Sequence, residues 1–115
     1  VPQARVDRRG ARLVQVTCDA ADAGQRFSVQ GDSLVVQASG MCVSVARSSR
    51  QAGAKVVQQP CDSASPSQHL WAMGRVIGFR HSGLCLDAAS GSQRPGTSAV
   101  QQPCRGTANQ RFRAV

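Results

Sequence analysis

Five cysteines carry the most definite chemistry in this 115-residue chain. Four of them form two pairs, Cys42 with Cys61 and Cys85 with Cys104, each spanning 19 positions. One spacing used twice in a small, loop-rich chain is the pattern of disulfides formed in an oxidising compartment. Each bridge would close a loop of about 20 residues and contribute on the order of 3 kcal/mol in the chain-entropy account. Zinc is the competing use of such residues. There is no C-x2-C pair, and His69 and His81 do not repeat, so neither a metal site nor a cofactor is expected. Cys18 is left over. It reads either as a buried small hydrophobe or as the partner of a cysteine outside this chain.

Catalytic chemistry finds less support. Ser, His and Asp are all present, but there is no G-x-S-x-G elbow and no repeated acid pair placed for glycoside hydrolysis. His81 and Ser82 fall in a turn, where surface exposure accounts for them. The chain is therefore read as noncatalytic. Thirteen arginines and Lys55 outweigh six aspartates, giving a net charge of +8 and a pI of about 11.0. Such a balance favours anionic partners, among them sulfated or sialylated glycans and other acidic polysaccharides. Only Arg8-Arg9 are adjacent and only Arg111 and Arg113 cluster, and exposed aromatics for base stacking are missing. No nucleic-acid groove is expected. The arginine-, alanine- and glycine-rich composition points to a bacterial source, and the cysteine pairs to a secreted protein. No transmembrane run or signal peptide is visible, so any secretion signal would precede Val1.

The elements that position these residues repeat. Cys42, Gln58, Gln59, Pro60 and Cys61 recur as Cys85, Gln101, Gln102, Pro103 and Cys104, at a constant offset of 43. A partial third copy runs from Gly10 to Cys18, aligned with Gly53 to Cys61, and Gly24 to Phe27 repeats Asn109 to Phe112. Three such units share one core, since none could bury its apolar face alone. We expect a single domain over 1–115, with repeats at about 1–30, 31–73 and 74–115. The first repeat lacks its opening, and an upstream segment or another chain is expected to complete it.

Short valine-rich runs between Gly, Ser and Pro clusters predict an all-β fold. Strands are expected at Gln25 to Gln30, Ser33 to Ala38, Met41 to Ala46, Ala54 to Gln59 and His69 to Met73. Further strands are expected at Val76 to Arg80, Leu84 to Ala88, Ser98 to Gln102 and Gln110 to Val115. Phe27, Trp71 and Phe112 hold one place in the three repeats and are read as core plugs around a pseudo-threefold axis.

Together, G-x-C-L-D at 83–87, V-Q-x-P-C at 100–104 and N-Q-x-F at 109–112 resemble the ricin B-type lectin family, also known as carbohydrate-binding module 13. The resemblance implies a β-trefoil with up to one sugar pocket per repeat, commonly for galactose-type sugars. In the third repeat it makes Asp87 the acceptor of two sugar hydroxyls and Asn109 with Gln110 the rest of the clamp. A carboxylate accepts from vicinal hydroxyls, and an amide both donates and accepts. Gln110 and Gln25 are also expected to bond turn backbone. Where the family stacks an aromatic on the sugar, this chain has Gln102, and Phe79 is the one candidate substitute, so the pocket should bind weakly. In the second repeat Ser44 replaces the aspartate, Gln59 the aromatic, and Gln68-His69 the Asn-Gln pair; that pocket is read as degenerate. The resemblance also implies a module targeting a secreted hydrolase or a toxin to glycans. The alternative is a degenerate trefoil that docks to protein, as a receptor-binding subunit of a larger toxin-like assembly.

Overall fold

The structure is a computed structural model and describes residues 2–3, 13–15, 27–73, 76–88, 98–105 and 110. Ten strands make up the described fold: β1 Pro2–Gln3, β2 Val14–Gln15, β3 Phe27–Gln30, β4 Ser33–Val36, β5 Cys42–Val45, β6 Val56–Gln59, β7 Leu70–Met73, β8 Val76–Phe79, β9 Cys85–Ala88 and β10 Ala99–Gln102. Two short 3₁₀ turns, Ala46–Ser48 and Pro66–Gln68, lie between them. The all-β expectation holds: β3 to β10 fall within eight of the nine expected strands, while β1 and β2 lie outside the expected ranges. Of the last expected strand, Gln110 stands in a 3₁₀ turn. Cys18, Asn109 and Phe112 lie outside the described residues.

Strands β3 to β6 form one antiparallel sheet in chain order, and β7 to β10 form another. The 43-residue offset carries over to every strand of these two sheets: Phe27–Gln30 answers to Leu70–Met73, and Val56–Gln59 to Ala99–Gln102. Each sheet thus joins the closing strand of one sequence repeat to three strands of the next. The turns correspond too. Gly40 and Gly83 have φ of 73° and 71°, a conformation that any residue with a Cβ resists. Their N–H groups donate to Val36 O at 2.8 Å and Phe79 O at 2.9 Å.

The core forms where the units meet. Leu13, Val56 and Ala99, one from each repeat at the same offset, are all buried. Leu13 N–H donates to Val56 O at 2.9 Å, and Ala99 N–H donates to Leu13 O at 2.8 Å, so residue 13 stitches the two large sheets together. Around this point pack Val36, Val43, Val45, Leu70, Phe79 and Leu86, with Phe27 partly buried against them. Strands β5 and β9 are buried along their whole length, which is why they read CVSV and CLDA with no charge except Asp87.

Two aromatic assignments need correction. Trp71 is half-buried and stands outside the core cluster, whereas its neighbour Leu70 is within it. Leu70 faces Phe79 across the β7–β8 pair as Phe27 faces Val36 across β3–β4, so Leu70 holds the place of Phe27. Phe79, the proposed substitute for a sugar-stacking ring, has no exposed surface and fills the core instead. Phe27 sits at the core margin, as its apolar neighbours require.

Candidate functional site

The two expected disulfides, Cys42–Cys61 and Cys85–Cys104, are formed, with Cα separations of 4.9 and 5.0 Å. Each pins the segment after a hairpin's second strand (β6 or β10) to the start of the first (β5 or β9). That closure brings the residues following the second cysteine back over the sheet.

In the third repeat the returning segment delivers Gln110 to Asp87. Gln110 is fully buried, and its amide nitrogen donates to Asp87 Oδ2 at 3.0 Å and to Pro103 O at 2.7 Å. Its Oε1 accepts from Arg105 N–H at 2.7 Å. Asp87 lies on β9 opposite Val100 and is itself 2% exposed. A carboxyl group buried this far needs hydrogen-bond partners, and the Gln110 amide is one of them. Gln102 is half-buried and its amide nitrogen lies 3.9 Å from the place a Cβ would take on Gly53, so it is directed at the loop of the preceding unit. Asp87 and Gln110 come together; Gln102 is turned elsewhere.

The second repeat builds the same scaffold with other contents. Gln68 donates to Pro60 O at 3.0 Å and accepts from Asp62 N–H at 2.8 Å, the bonds Gln110 makes one repeat later. The residue equivalent to Gln110 is therefore Gln68, and the expected pairing of Gln68-His69 with Asn-Gln gives way to Ser67-Gln68. Counting from the aromatic misled the alignment, since the residue two after this glutamine is Leu70 and Trp71 lies one further on. Where Asp87 stands in the third repeat, Ser44 bonds Ser67 between hydroxyls at 2.7 Å. Ser67 Oγ also accepts from Val45 N–H at 3.1 Å and from Ser48 Oγ at 3.2 Å. These hydroxyls satisfy one another beside a cavity of about 310 Å³ that Arg47 and Gln59 also line.

Several polar residues that sequence reasoning passed over have defined work. Gln101 is buried and clamps a loop, donating to Ser49 O at 2.8 Å and Gln51 O at 2.9 Å while accepting from Ser82 Oγ at 2.9 Å. Its counterpart Gln58 accepts from Ser39 Oγ at 2.8 Å. The doubled glutamine of the second and third repeats was the signal: the first of each pair is interior. A second group gathers at the β3–β4 turn. His69 Nδ1 lies 2.8 Å from Asp32 Oδ2 and its Nε2 2.8 Å from Ser63 O, and both nitrogens donate when the imidazole is protonated. Both partners only accept, so the imidazole pKa is raised, first by the Asp32 hydrogen bond and then by Ser63. The same bond from His69 is the main cause holding the Asp32 carboxyl below its ordinary value. Arg80 Nε lies 3.8 Å from Asp32 Oδ2. Among the described residues no group of three or more His, Cys, Asp or Glu is placed to hold a metal ion.

Residues 3–71 match the family described as "Ricin-type beta-trefoil lectin domain", and residues 74–115 match "Ricin-type beta-trefoil lectin domain-like". The chain is similar to the crystal structure of the designed three-fold symmetric protein ThreeFoil, with 28% identity and a TM-score of 0.80 over 97% of this chain and 89% of that one. It also resembles an exo-β-1,3-galactanase from Clostridium thermocellum, with 25% identity and a TM-score of 0.72, covering 87% of this chain and 23% of the enzyme. The C-half of an earthworm R-type lectin, solved in complex with GalNAc, shares the fold at 12% identity and a TM-score of 0.73, covering 96% of this chain and 92% of that one. These similarities make the fold a β-trefoil. None of the curated protein sequences compared with the chain is significantly similar to it.

Proposed function

The chain belongs to the family of ricin-type β-trefoil lectin domains, and we propose that it is a noncatalytic carbohydrate-binding module whose working pocket of the family type lies in the third repeat. The observation that carries this reading is the Asp87–Gln110 bond at 3.0 Å, set against its counterpart in the second repeat. There the scaffold glutamine is kept and the carboxylate is gone. Asp87 would accept hydrogen bonds from sugar hydroxyls, and Gln110 would hold the carboxylate in place while bonding turn backbone. Asn109 completes the clamp by resemblance. With Phe79 in the core and Gln102 aimed at Gly53, no ring is assigned to stack on this sugar, so affinity should be modest. A galactose-type sugar is the first candidate, and an acidic polysaccharide the second, drawn by a net charge of +8. The two disulfides suit an extracellular setting, and we infer that the module targets a secreted enzyme or a toxin to glycans.

A glycan array at low and high salt, run beside Asp87→Ala, tests the reading. Binding to a defined sugar that persists in salt and disappears in the variant is expected. A signal that fades with salt and ignores the substitution would assign binding to the arginine surface. A second reading, docking to another protein, draws on two large apolar side chains, Val29 and Met73, which are 73% and 75% exposed. An array with no signal at either salt concentration would favour it.

A further inference from the structure

The chain's single tryptophan lies away from the pocket just described. Trp71 pairs across the β7–β8 hairpin with Gly78, and its indole lies so close over that glycine that a Cβ there would collide with the ring. Glycine is what lets the ring lie against the strand backbone. Half-buried, the indole lines a cavity of about 260 Å³ between this hairpin and the β3–β4 hairpin, with Leu34, Leu70 and Ile77 as its apolar wall. Asp32 and Arg80 also line it. Arg80 Nε donates to Leu70 O at 3.2 Å and lies 3.8 Å from Asp32 Oδ2, which turns the Nε edge of the guanidinium inward. Its two terminal amino groups have no partner among the described residues.

We propose that this cavity is a second sugar site, built differently from the family pocket, and that it takes a pyranose carrying a carboxylate. Each wall matches one part of such a ring. The indole face receives the apolar C–H face of the sugar. The pre-set guanidinium fork matches a carboxylate in two parallel hydrogen bonds. Asp32, held from one side by His69, keeps acceptor capacity for a hydroxyl. The Asp32 carboxylate also disfavours groups with two negative charges, so a phosphate is the poorer fit. The volume suits one ring, not an extended chain of them. This site shares no side chain with the Asp87 pocket, so the two readings stand or fall separately.

Because Trp71 is the only tryptophan, its emission reports this site alone. The protein is titrated with glucuronic acid, N-acetylneuraminic acid and, as the neutral control, galactose. We expect a saturable emission change with at least one acid, about tenfold or more tighter than any change with galactose, as hydrogen bonds to a charged group imply. Arg80→Gln should remove that preference, and Asp87→Ala should leave it intact. Arg80→Lys, which keeps the charge without the fork, should lose most of it and guards against a folding defect in the first variant. Which acid responds separates uronic from sialic acid as the source of the carboxylate. An emission spectrum unmoved by both acids would overturn the proposal. So would equal responses to acids and galactose, or a response lost in Asp87→Ala.

Discussion

Single hydrogen-bonding side chains distinguish the second and third repeats of this domain. Gln68 and Gln110 hold the same carbonyl and amide partners in successive units, yet only Gln110 is joined to a carboxylate. Ser44 and Ser67 occupy the corresponding space with hydroxyls that bond each other. At the β3–β4 turn, His69 bridges Asp32 and Ser63 across partly exposed surface, and this bridge has a defined pH dependence. The folded pKa of His69 is raised, so its contribution is complete below the ordinary histidine value of about 6.5 and is lost as pH rises through the higher folded value. The folded pKa of Asp32 is lowered, so its contribution is complete above the ordinary value of about 3.8 and is lost as pH falls through the lower one. The bridge is therefore strongest between about pH 4 and 6.5. Melting temperatures of the protein and of His69→Gln should converge as pH rises from 6 towards 8. A gap that stayed constant over that range would mean that His69 does not titrate against Asp32.

The hairpins and their connections set which of these side chains meet. Leu70, not Trp71, faces Phe79 in the core, and the two residues should respond differently to substitution. Leu70→Ala is expected to cost about 2–5 kcal/mol in denaturant unfolding, and Trp71→Phe less than about 1.5 kcal/mol. The reverse order would return Trp71 to the core. At this scale the sequence was legible where spacing was rigid. The 43-residue offset holds for every strand from β3 to β10, because a sheet tolerates no slip in register. It failed where spacing varied: the second-repeat segment between cysteine and glutamine is one residue longer than the third, and the eye is drawn to the aromatic. The buried glutamine's bond to Pro60 O or Pro103 O is the fixed point, and it carries no compositional flag. Asp32, His69 and Arg80 were illegible as a group, since they come from separate turns and strands that only the packed hairpins bring together.

The molecule as a whole is one structural idea used repeatedly, and its pseudo-threefold centre at Leu13, Val56 and Ala99 explains why no unit would be stable alone. Modest size makes the disulfides matter. Domains of this kind have about 5–15 kcal/mol of stability, and each bridge closes a loop of equal length worth about 3 kcal/mol. Replacing Cys42 and Cys61 together by serine should lower the melting temperature on the order of 10 °C, and replacing Cys85 and Cys104 should lower it about equally. A bridge whose loss left the melting temperature unchanged would be dispensable to the fold. The repeated frame also lets the units diverge: Ser44 and Asp87 differ at equivalent positions while the glutamine and disulfide scaffold stays. Calorimetric titration of the strongest array glycan into the protein, Asp87→Asn and Ser44→Ala tests most directly whether the third repeat keeps a sugar-binding carboxylate which the second lacks. Asp87→Asn should weaken binding by about tenfold to a hundredfold, as loss of charge-assisted hydrogen bonds implies, with Ser44→Ala unchanged. Equal affinity in all three proteins would contradict it.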